Sequence, residues 1–191
     1  MGDDAAASPT YLIDLLETGL SQCIAALRAM VDRDWSARAG TLDWTCWQTV
    51  DHVTDCLFSY GLQIAGRVQG GWLKLQELHA QPEASPSELL DSLDAVGNLF
   101  VAIVRDAPAD VISSDGYFDL QIADWIARAL NEALLHTFDV LSGLGASLEP
   151  SRDVCAFVLA TPTLWMYDGV DDRRAPDPWS AMLVGSGRST A

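Results

Sequence analysis

Apolar residues in this chain recur at three- and four-residue steps over long stretches, a spacing that fits amphipathic helices and excludes most strands. Leu12, Leu16, Leu20, Cys23, Leu27 and Met30 make one such stripe, on a first helix expected from about Pro9 to about Val31. Ser8 is its expected N-cap, and Pro9 takes the first helical position, where the missing N–H is not needed. A second helix is expected from about Trp44 to about Gln69, with Val50, Val53, Leu57, Ile64 and Val68 as its apolar row. The third opens on Ser85-Pro86-Ser87-Glu88, which has capping-box spacing, buries Leu89, Leu93, Val96, Phe100 and Ile103, and stops at Pro108. A turn-rich stretch from Ser113 to Gly116 follows. The fourth helix is expected between Asp119 as N-cap and Gly143 or Gly145 as C-terminal stop. Val154 to Leu164 reads as a short fifth helix, and the tail from Asp168 onward is charged and rich in proline. No strand alternation competes with these helices. The expected fold is all-α, one helical bundle domain over residues 1–191, with its core at about 9–145 and a C-terminal extension at about 150–191.

The 191 residues suffice for one well-buried core. A net charge of −16 argues against nucleic acid, which needs a basic footprint, and against anionic membranes. It suits solubility and attraction of cations. No apolar stretch is long enough to span a bilayer, and Met1 to Pro9 has no apolar signal-peptide region. The cysteines, Cys23, Cys46, Cys56 and Cys155, form no C-x-x-C pair. A reduced, cytoplasmic protein with free thiols is the simplest expectation. Lys74 is the only lysine, and with the abundant Ala and Asp this resembles the codon bias of a high-GC bacterium.

Two features suggest chemistry. Beside the apolar row of the second helix runs a polar one, Thr49, His52, Cys56, Ser59 and Gln63. It describes either a helix lining a cavity or a helix edge at the solvent boundary. On the fourth helix, Ile122, Trp125, Ala129, Glu132, His136 and Asp139 share a stripe. Glu132 and His136 are one turn apart and can share one ion, although an i,i+4 Glu–His pair is also an ordinary surface feature. Bare burial of the pair would be costly, and a cation would offset that cost. With His52 they make two histidines and a carboxylate, a set used by open zinc sites and by non-haem iron. Asp139, Asp51 and Asp55 are candidate acceptors for the histidine N–H groups. His79, beside Glu77 and before Gln81-Pro82, reads as a structural histidine at a helix end.

The segment Leu42-Asp-Trp-Thr-Cys-Trp-Gln-Thr-Val-Asp-His52 resembles the tryptophan-led opening of the second helix in the DinB-like superfamily. Asn131-Glu-Ala-Leu-Leu-His-Thr-Phe-Asp-Val140 is similar to the E-x-x-x-H-x-x-D motif of its mycothiol-dependent maleylpyruvate isomerase branch. The closing Asp177-Pro-Trp-Ser-Ala-Met-Leu-Val-Gly-Ser-Gly-Arg188 is similar to a tail of actinobacterial members. The resemblance implies a DinB-like four-helix bundle of crossover topology, here with a short additional C-terminal helix and tail. It also implies a divalent metal, zinc before Ni2+ or Fe2+, on His52, Glu132 and His136. The implied activity is thiol S-transfer or isomerisation, with a mycothiol-type thiol as cosubstrate and an electrophilic small molecule as substrate. The candidate cavity lining is Thr49, Cys56, Ser59 and Trp125. The chain ends soon after the expected bundle, so the isomerase's separate C-terminal domain, and with it the maleylpyruvate reaction, is not expected. The alternative is a non-enzymatic bundle whose metal or small molecule serves structure or sensing. Its mark would be a fourth protein ligand such as Cys56 or His79. An exposed helix face could support a homodimer, which nothing in the sequence indicates.

Overall fold

In the computed structural model, residues 8–164 and 177–188 are described. Those residues are mostly helical: α1 (Pro9–Arg28), α2 (Cys46–Ala65), α3 (Pro86–Asp106), α4 (Ile122–Gly143), α5 (Arg152–Leu159) and α6 (Pro178–Gly185). The one sheet among the described residues is a two-residue hairpin pair, β1 (Ser113–Ser114) antiparallel to β2 (Asp119–Leu120). No helix of the described residues is long and apolar enough to cross a membrane.

The four long helices pack in the order α1–α3–α2–α4 around one core, so the consecutive α1 and α2 lie across from each other. A bundle of simple up-and-down connections would keep them adjacent. Leu16, Leu27, Leu57, Leu89, Leu90, Phe100, Leu130 and Leu134 are fully buried between the four. The expected apolar rows face this core. The long connections also contribute, because Trp35 and Ala39 are buried in the segment joining α1 to α2.

Helix ends follow local chemistry. Ser8 and Ser85 cap α1 and α3 as their sequences predict. The second helix starts later than the expected Trp44, because Thr45 is its N-cap and shares a capping box with Gln48. It stops at Gly66, before the left-handed Arg67, so Val68 and Gln69 lie outside it. The fourth helix starts at Ile122 because Asp119 pairs in the hairpin, and the Gln121 N–H donates to Asp124 instead. Asp115 closes that hairpin by accepting from the Tyr117 and Phe118 N–H groups. The fifth helix ends at Leu159. The tail holds a helix that its proline content concealed: Asp177 caps α6, and Pro178 takes the first helical position. The part of the expected tail from 168 to 176 lies outside the described residues.

Gly143 closes α4 against the segment before α2. A Cβ there would run into the backbone carbonyl of Arg38 and sit 3.1 Å from Cys46 Sγ. Gly143→Ala should therefore destabilise by about 1–3 kcal/mol, as overpacked sites do, read from chemical denaturation. An unchanged midpoint would show that this contact relaxes freely.

Candidate functional site

The cluster is built where α2 crosses α4. The Cys46 thiol meets the Val140 carbonyl at 3.7 Å, so the start of α2 lies against the C-terminal half of α4. From that seat, His52 on α2 reaches the turn of α4 carrying Glu132 and His136. His136 Nε2 lies 3.3 Å from Glu132 Oε2, and His52 Nε2 lies 3.8 Å from the same oxygen. The two rings meet edge to face with centroids 5.3 Å apart, and Trp44 covers His52 with a centroid separation of 4.9 Å. The three residues are half-buried.

A polar chain stands behind His136. Its Nδ1 lies 3.1 Å from Asp139 Oδ2. Arg188, from the tail beyond α6, grips the buried Asp139 with two bonds of 2.8 and 2.6 Å. Burial opposes the charge on Asp139, but the hydrogen bonds and charges of Arg188 and His136 outweigh it and hold the carboxyl low. Asp139 therefore stays an acceptor, His136 Nδ1 carries the proton, and Nε2 is left to face Glu132. Burial likewise opposes charge on His136, but hydrogen bonds to Asp139 and Glu132, and their charges, push the imidazole up to about 9. His52 moves the other way, lowered first by burial and then by His136. Burial also works against the Glu132 carboxylate, and its bond to His136 with the surrounding positive charge still brings it below its usual value.

A His52 nitrogen and a His136 nitrogen thus each approach the same Glu132 oxygen, and such a set needs positive charge between its members. Without a metal, a proton on His136 supplies it. The set also suits a divalent ion, since both Nε2 atoms can present lone pairs and Nδ1 of His136 is fixed from behind. Cys56 adds a fourth donor. Donor atoms of His52, Cys56 and Glu132 all lie within 4.8 Å of one another, a group that does not include His136, and Cys56 Sγ is 3.4 Å from His52 Nε2. Burial, then the charges of Glu132 and Asp55, raise that thiol well above its ordinary value. It is a neutral thiol unless a cation stabilises the thiolate.

Two open grooves flank the cluster. One of about 500 Å3 is lined by Glu132, His136 and Arg188. The other, of about 580 Å3, is lined by Trp44, Asp51, His52 and His79.

The rest of the polar row on α2 divides by task. Thr49 is fully buried and its hydroxyl donates to the Thr45 carbonyl. Ser59 and Cys56 line a third cavity of about 360 Å3. Gln63 ties two loops together, donating to the carbonyls of Gly71 and Ser114 and accepting from the Leu73 N–H. Trp125 is fully buried, donates to Ser113 Oγ at 2.8 Å, and packs on Tyr60 and Trp72. Of the three candidate acceptors for histidine N–H groups, Asp139 serves His136. Asp51 and Asp55 instead pin the loop before α3. Asp51 accepts from the Ala80 N–H and meets His79 Nδ1 at 2.8 Å, and Asp55 accepts from the Leu78 N–H. His79 accordingly sits in a loop rather than at a helix end, between Asp51 and Glu77. Arg188 carries no spacing signal that would place it beside the cluster, whereas Tyr60, one turn beyond Cys56 on α2, does.

No family model, curated protein or solved structure matches this chain.

Proposed function

We propose that this chain is a DinB-like, divalent-metal-binding protein that conjugates or isomerises electrophilic small molecules with a mycothiol-type thiol. The observation that carries the reading is the approach of His52 Nε2 and His136 Nε2 to one oxygen of Glu132. The helix order α1–α3–α2–α4 accords with the crossover topology that the resemblance implies. His52, Glu132 and His136 would hold the ion, most suitably Zn2+, with Ni2+ or Fe2+ as substitutes. A bound divalent cation supplies a Lewis acid that favours the thiolate, the nucleophilic form of a thiol. The chain's own residues do the rest. Asp139, braced by Arg188, keeps the proton on His136 Nδ1. Trp44 shields the His52 ring from solvent. The groove beside Glu132 and Arg188 gives a small molecule access to the cluster. The test is zinc-loaded protein mixed with a low-molecular-weight thiol and 1-chloro-2,4-dinitrobenzene, with the conjugate followed by absorbance. Acceleration should require metal and vanish in Glu132→Gln. No acceleration with any cysteine-derived thiol or electrophile tried would remove the enzymatic reading.

The second reading is a non-enzymatic metal- or ligand-binding bundle, and Cys56 favours it. A fourth protein donor closes a tetrahedral site, as structural zinc sites require. Cobalt substitution separates the two. A closed site should show a thiolate-to-cobalt charge-transfer band that Cys56→Ser abolishes. If the wild-type protein lacks that band, Cys56 is not a ligand and the open site stands.

A further inference from the structure

The third cavity lies between α2 and the segment 72–77, and metal binding gives it no task. Its walls carry the aromatic rings of Phe58, Tyr60 and Trp72 with the apolar side chain of Leu75. Tyr60 and Trp72 stack with centroids 6.0 Å apart and both rest on buried Trp125, so the wall they form is fixed from behind. Its acidic groups are Asp55 and Glu77, and no lysine or arginine is among the described residues that line it. Each carboxylate keeps charge to spare. Asp55 uses Oδ1 to accept from the Leu78 N–H, and Glu77 uses Oε2 toward His79; both carboxylates stand on the wall shared with the neighbouring groove, and His79 lines that groove alone. At about 360 Å3 the cavity is of small-ligand size.

We infer that this cavity binds an organic cation with an apolar body, its charge held over the Trp72 and Tyr60 rings and between Asp55 and Glu77. A hard inorganic cation needs a shell of six or more oxygens, and the Phe58 and Trp72 rings with Leu75 give that side of the cavity none. An anion would meet two negative groups with no compensating guanidinium or ammonium. A neutral apolar ligand would leave the carboxylates without a counter-charge as it displaced their water. An alkylammonium or guanidinium carried on a ring or chain satisfies both features, because aromatic faces attract cations and the walls take apolar surface. The inference goes beyond the proposed function and does not depend on it, since the cavity shares only Cys56 with the metal cluster.

The test is ligand-observed NMR on the full chain, titrating benzyltrimethylammonium with a chelator present so that metal plays no part. Benzyl alcohol and benzenesulfonate serve as neutral and anionic comparisons. The ammonium compound should bind saturably, and benzenesulfonate should not. Trp72→Leu should weaken binding about fivefold or more, the scale of a lost cation–π contact. The double variant Asp55→Asn, Glu77→Gln should do the same, while Asn keeps the acceptor for the Leu78 N–H. Thermal melts confirm that each variant is folded. Equal binding of benzyl alcohol to the wild-type protein would overturn the inference without any variant, and so would unchanged affinity in both folded variants. If zinc fails to bind but the ammonium compound binds as described, the metal reading fails and this one stands.

Discussion

Zinc should raise the thermal midpoint of this protein, and Glu132→Gln should remove that rise. A ligand that binds only the folded state at one hundred times its Kd adds about 2.7 kcal/mol. For a chain of this length that is about 5–10 °C. With 27 Asp and Glu residues, the protein will attract cations over its whole surface. Such weak binding does not single out the folded state, and removing one carboxylate would barely alter it. The cluster differs because His52, Glu132 and His136 come together only after α2 has packed across α4. His52→Ala and His136→Ala should therefore also abolish the shift, whereas Ser59→Ala, on the same row of α2 and outside the cluster, should keep it. An equal zinc effect in all four variants would assign it to the surface.

Asp139→Ala should be the most damaging single substitution at the site. It strips Arg188 of its partner and leaves His136 Nδ1 facing nothing. Breaking a buried ion pair from one side costs about 3–5 kcal/mol, which corresponds to a drop of about 6–20 °C in midpoint. Asp139 and His136 also contribute to the pH dependence of the metal-free protein. The folded value of Asp139 is depressed, so its contribution is present above the unfolded value near 3.8 and fades as pH falls through the folded one. The folded value of His136 is raised, so its contribution is complete below 6.5 and is lost as pH rises toward about 9. Metal-free protein should accordingly lose stability between pH 6.5 and 9, and Asp139→Asn should flatten that decline. Zinc reverses the direction, because it requires His136 Nε2 without its proton. Zinc-dependent stabilisation should shrink on acidification. A metal-free melting curve that is level from pH 6.5 to 9 would mean that His136 is not held by this chain of bonds.

Helix positions were readable in the sequence wherever an apolar row coincided with a side-chain cap. Ser8 with Pro9 and Ser85 with Glu88 mark their helices closely because cap and row agree. A start at Trp44 is two residues early because Thr45 is the cap, and Asp119 serves a tight hairpin because a carboxylate does so as readily as it caps a helix. Asp177-Pro178 carries the same cap-and-proline signal as Ser8-Pro9, but in a segment whose composition suggested only a tail. At the site, Glu132 and His136 were legible from i,i+4 spacing on one stripe. His52 and Cys56 were legible from the polar row on α2. Arg188 was not, because its partner Asp139 lies 49 residues away and only the folded tail brings them together. Asp51 and Asp55 cannot be told from ligand-supporting acceptors by spacing alone, since their partners are backbone N–H groups of a loop and, for Asp51, the His79 side chain of that loop.

One divalent ion should be shared by α2 and α4. Zinc K-edge X-ray absorption on tag-free protein, loaded with one equivalent and dialysed, tests it most directly. Close to one zinc should be retained per chain, with imidazole and carboxylate donors at about 2.0–2.2 Å and the imidazole signature reduced in His52→Ala and in His136→Ala. Zinc lost on dialysis, or retained in an all-oxygen shell that neither substitution changes, would contradict it.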